Sequence, residues 1–173
     1  MTKTFKLIAV SLACLFLQSC YQIKEPIFDK GQRSTISGDI LCSNLMSGKA
    51  FKDTLKEIST GWISVDYRYK SGDGTVLTFS SGPEDVNIVQ MTQIDGSISI
   101  FFSDSKDDML TIYAPDIVGK MNRLEEFRIR SNVAITRGTG GSALISGERP
   151  NILKYLSMHR RDLLTPVVLC RRA

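Results

Sequence analysis

The chain has 173 residues, 42% of them hydrophobic, with 22 lysines and arginines against 18 aspartates and glutamates, one histidine and four cysteines. That is enough for one domain around a single core. The small net charge and scattered basic residues, without interleaved aromatics, exclude a nucleic-acid surface.

The N-terminus carries the strongest local signal. Lys3 and Lys6 precede Leu7 to Leu17, eleven residues without a charge. As a helix that run covers about 16 Å, half the hydrocarbon core of a bilayer, so residues 1–19 read as a secretion signal rather than a span. The signal ends in Leu17-Gln18-Ser19-Cys20, which resembles the lipobox of bacterial lipoproteins. The resemblance covers these twenty residues only. It implies cleavage before Cys20, acylation of Cys20, and a membrane partner reached through that lipid. Tyr21 rather than aspartate after the cysteine implies the outer membrane, with the domain facing the periplasm. The alternative is an ordinary cleaved signal that leaves Cys20 a spare thiol.

Compartment then constrains the other cysteines. Cys14 leaves with the signal and Cys20 is assigned to lipid, so Cys42 and Cys170 remain as a pair in an oxidising space. One bridge is expected, joining the start of the domain to its end, although two separately buried thiols would also suit their apolar flanks. A lone histidine and a bridged pair cannot fill a zinc site, and no cofactor is expected.

Residues 20–34, with Pro26, Gly31 and five charges, show no helical or strand period and read as a lipidated tether. The globular part is expected over residues 35–173. A first strand runs from Thr35 to Cys42, with Gly38 as a bulge. Phe51, Leu55 and Ile58 recur at helical spacing after Ser47, which predicts an amphipathic helix over 47–58. From Trp62 the period becomes two, with Ile63, Val65, Tyr67 and Tyr69 inward, and Ser71-Gly72-Asp73-Gly74 turns the chain into Thr75 to Ser80. Asp95-Gly96 predicts a two-residue turn that pairs Val89 with Phe102 and Met91 with Ile100. Ser103 to Asp108 reads as a polar loop, Met109–Ala114, Phe127–Arg130 and Val133–Thr136 as strands. After the glycines Gly138, Gly140 and Gly141 come a strand over Ala143–Ser146, a helix from Pro150 carrying Ile152, Tyr155 and Leu156, and a last strand over Val167–Cys170. The class is α+β: a single domain with an antiparallel meander of about seven to nine short strands and two amphipathic helices.

Few residues suggest chemistry. His159 stands at the carbonyl end of the second helix beside Arg160 and Arg161, which favours a capping role over catalysis. Ser103-Asp104-Ser105-Lys106 and Lys70-Ser71-Gly72 match boxes of penicillin-recognising enzymes, but in reversed order and on turns. Asp104, Asp107 and Asp108 supply hard oxygens without the spacing of a calcium loop. No catalytic residue and no metal ligand is assigned, and no small-molecule ligand is identifiable. The expectation is a lipid-anchored cell-envelope protein with a non-enzymatic binding or assembly role toward another envelope component. The alternative is a small periplasmic hydrolase using His159 or the Asp104–Asp108 loop.

Overall fold

The computed structural model describes residues 20–28, 30–31, 38–50, 54–58, 68–82, 86–138 and 141–173. The expected signal over residues 1–19, the start of the expected first strand at Thr35, and Trp62, Ile63, Val65, Tyr67 and Gly140 therefore lie outside the described residues. Runs of β-branched and aromatic residues form the strands β1 (Tyr21–Ile23), β2 (Ile40–Asn44), β3 (Lys56–Ile58), β4 (Arg68–Lys70), β5 (Val76–Ser80), β6 (Asn87–Thr92), β7 (Ile98–Lys106) and β8 (Met109–Pro115). The helix α1 (Met121–Ser131), the strands β9 (Ala134–Arg137) and β10 (Ala143–Ser146), the helix α2 (Arg149–Ser157) and the strand β11 (Leu164–Arg172) follow. The α+β class, with one largely antiparallel sheet and two helices, is as the sequence predicts.

The sheet runs β2-β11-β8-β7-β6-β5-β4-β3, and Leu55, just before β3, exchanges backbone hydrogen bonds of 2.8 and 2.9 Å with Ile40 of β2. The two ends of the path meet, and the sheet curls into a nearly closed barrel. At β7 the sheet forks. β8 pairs with its second half, Phe102 to Lys106, while β1 pairs along its first half, Ile98 to Ile100. β10 adds to β1 in parallel and β9 to β10 antiparallel, which makes a short side branch.

Alternation on β6, β7 and β8 then serves two cores. Val89, Met91, Phe101, Leu110 and Ile112 fill the barrel, whereas Ile88, Ile98, Ile100, Phe102 and Tyr113 face outward against α1 and α2. Cys42 and Cys170 stand directly opposite one another on β2 and β11, both buried and bridged with sulfurs 2.00 Å apart. The predicted staple is present.

Five local expectations are corrected. Residues 20–28, expected as part of a tether over 20–34, are folded onto the domain: Tyr21 and Ile23 are buried in β1, and Gln90 clamps the next turn. Its Oε1 accepts from the N–H groups of Ile27 and Phe28 at 2.8 and 3.2 Å, and its amide donates to the Phe28 carbonyl. Among the described residues of the helix expected over 47–58, namely 47–50 and 54–58, none is helical. Asn44 Oδ1 gathers the N–H groups of Met46 and Ser47 into a turn, and Lys56–Ile58 pairs with β4, so barrel closure overrides the local period. The strand expected over Phe127–Arg130 lies inside α1, whose Phe-Arg-Ile-Arg alternation imitates a strand. Ion pairs between Glu125 and Arg128 and between Glu126 and Arg130 suit helical spacing instead.

The hairpin at Asp95-Gly96 has a three-residue loop, with Gly96 at φ +82° and Gln93 N–H bonded to Ser97 O. Register slips by one, and Val89 faces Phe101 rather than Phe102. Because both faces of β6 and β7 are buried, the hydrophobic pattern could not choose between the two registers. Finally, Ser103 to Lys106 continues β7, and the turn shrinks to Asp107, at φ 56°, and Asp108.

Candidate functional site

Tyr21 on β1, Tyr155 on α2 and His159 two residues past that helix are all fully buried and meet between the sheet and the helices. Tyr21 Oη lies 2.9 Å from Tyr155 Oη and 2.9 Å from His159 Nε2, while His159 Nδ1 lies 3.2 Å from the Tyr155 carbonyl oxygen. A carbonyl can only accept, so Nδ1 carries the proton. Nε2 of the neutral ring then accepts from Tyr21, and Tyr155 donates to Tyr21. The expected helix-capping role of His159 is real, but it is met by a neutral Nδ1–H.

Burial without a counter-charge pushes the imidazole pKa down to about 4. Phe102 stacks on the ring at 4.9 Å, with Tyr21, Phe127 and Tyr155 edge-on around it. Burial likewise pushes Tyr155 up to about 12, and Tyr21 well above the usual phenol value, where the neighbouring Tyr155 adds to the effect.

The same two tyrosines line a cleft of about 80 Å³ between α1 and β9. Helical spacing puts Met121, Leu124 and Glu125 on one face of α1, and strand alternation puts Ile135 and Arg137 on one face of β9; Ile117 completes the wall. By this measure a water needs roughly 10 to 15 Å³, so the cleft holds about five waters or one medium-sized apolar side chain. Glu125 on the rim is clamped by Arg128, whose Nη2 and Nε donate at 2.6 and 2.8 Å. Arg137 rests its guanidinium on the Met121 sulfur at 2.6 Å.

The residues singled out by the sequence lie elsewhere. Asp104 is paired with Arg161, accepts a hydrogen bond of 3.2 Å from the Tyr113 hydroxyl, and sees the guanidinium stacked 3.7 Å over the Tyr113 ring. Asp108 meets Arg172 at 3.5 Å on the surface. Ser103 is buried within a strand, its hydroxyl without a partner, and Ser71 is held in its turn by Asp73 and the Thr75 carbonyl. Tyr69 points inward, as alternation predicts.

Cys20 is 5% exposed, packed with the barrel core, and its carbonyl accepts from Ala143 N–H at 3.0 Å. Burial pushes its thiol pKa up, against a hydrogen bond to Ser99. Among the described residues no three metal-binding side chains gather, and no helix is long and apolar enough to cross a membrane.

Sequence reasoning missed Tyr21, Gln90 and Arg137. Tyr21 follows Leu17-Gln18-Ser19-Cys20 in a stretch without period, and the other two carry no local signal of their tertiary partners. No family model, curated protein or solved structure matches this chain.

Proposed function

We propose that the chain is a lipid-anchored cell-envelope protein with a non-enzymatic binding or assembly role toward another envelope component. The observation that carries this reading is the buried Cys42–Cys170 bridge behind a secretion-type N-terminus that closes on Leu17-Gln18-Ser19-Cys20. Such a bridge persists where thiols are oxidised. The hydrolase alternative would need His159 at solvent beside a carboxylate and a hydroxyl, yet both its ring nitrogens are engaged inside an aromatic box.

Anchoring through Cys20 has a structural consequence. A diacylglyceryl thioether cannot occupy the packed place of the thiol, so the acylated residue must turn out of the barrel core. Tyr21 is already in the sheet, so the lipid has no spacer and the domain rests against the headgroups. Two or three acyl chains, at about 0.8 kcal/mol per methylene, make that attachment effectively permanent.

Intact mass of membrane-extracted protein, with and without reductant, tests both parts. The expected species begins at Cys20, carries added hydrocarbon mass, and gains one pair of hydrogens on reduction. A chain that starts elsewhere, or carries no acyl mass, overturns the anchor; free Cys42 and Cys170 in the native protein overturn the bridge.

A further inference from the structure

We propose that the outer edge of β9 and the cleft beside it form one binding site for an extended acidic-x-apolar segment of a partner protein, added to the sheet antiparallel to β9. The inference rests on the reading of the chain as a binding component and gives that reading a place. Among the described residues β9 pairs only with β10, and Ala134, Thr136 and Arg137 are exposed.

Ladder phase decides which groups face outward. Gly138 N–H donates to Ser142 O at 2.9 Å across the hairpin, so Thr136 and Ala134, two and four residues back, also turn their backbone groups toward β10. Ile135 and Arg137 turn theirs to the open edge. These are also the two β9 residues whose side chains line the cleft. A strand bonded to them places the residues directly opposite on the cleft face as well, two positions apart.

Chemistry at each position follows from the lining. Opposite Ile135 the added side chain faces the cleft, whose lining includes Ile117, Leu124 and Ile135, so an apolar group fits there. Opposite Arg137 it meets a guanidinium that rests on a thioether and acts on Glu125 through its charge, while the Glu125 oxygens are hydrogen-bonded by Arg128. A carboxylate is the stronger partner for that cation. Antiparallel addition puts the acidic residue first in the partner. The edge has no proline and no bulge to discourage pairing.

The test uses the mature protein, nitrogen-labelled, in detergent, titrated with the blocked peptide Thr-Asp-Thr-Leu-Thr to millimolar concentration. The expected result is a shift of the Ile135 and Arg137 amides, lost when the peptide leucine becomes serine. With Arg137→Glu the preference inverts: the Asp peptide weakens by roughly fivefold and its Asp-to-Lys counterpart gains by a similar factor. No shift on β9 at millimolar peptide, shifts mapping elsewhere, or indifference to the charge exchange overturns the site and leaves the mass measurement of the anchor untouched.

Discussion

An imidazole enclosed by four aromatic rings and kept neutral by desolvation makes the fold sensitive to acid at one residue. The folded His159 pKa of about 4 lies below the ordinary imidazole value of 6.5, so between these the unfolded chain binds a proton that the folded chain refuses. Stability is therefore fully present above pH 6.5 and is lost as pH falls toward 4. The difference amounts to about 3 kcal/mol. Denaturant titrations across that range, compared with His159→Phe, isolate it: the variant should lose this part of the pH slope, and an unchanged slope would exclude His159 as its source. Position alone suggested a charged histidine at a helix end. Packing reverses its charge because desolvation outweighs the favourable carbonyls.

At the level of elements, β1 separates a tether from a structural strand. Tyr21 is fully buried, packs edge-on to Tyr155 at 5.5 Å between ring centres and pairs with both β7 and β10. Tyr21→Ala should cost about 4 kcal/mol, whereas Gln22→Ala, on the exposed face of the same strand, should stay within about 0.5 kcal/mol. Midpoints of chemical unfolding report both, and equal small effects would restore the tether reading. The strands between Val76 and Pro115 were legible as apolar runs set off by turn residues, but the register of β6 on β7 was not, because both faces of that pair are buried. α2 was legible from Pro150 and its apolar face. α1 was not, because Phe127 to Arg130 alternates at strand spacing while its helix-supporting ion pairs lie across that alternation.

For the whole molecule, the bridge across β2 and β11 closes a loop of 128 residues in a nearly closed barrel. In the chain-entropy account it contributes about 4 to 5 kcal/mol. Cys42→Ala with Cys170→Ala should lower the denaturation midpoint accordingly, and equal stability of the double variant would remove the bridge from the account of the fold.

By itself the sequence determined the α+β class, the cysteine pair and most central strands, because these follow from local period, turn residues and the parity of thiols. Only the tertiary structure decided the register of β6 on β7, the burial of Cys20 and Tyr21, and the neutral His159. Each depends on which residues meet from more than 100 positions apart or on which of two apolar faces is chosen, as in the 138-residue separation of Tyr21 and His159. The cleft between α1 and β9 belongs to the same kind: its two walls come from a helix that imitates a strand and from a strand that, among the described residues, pairs with β10 alone.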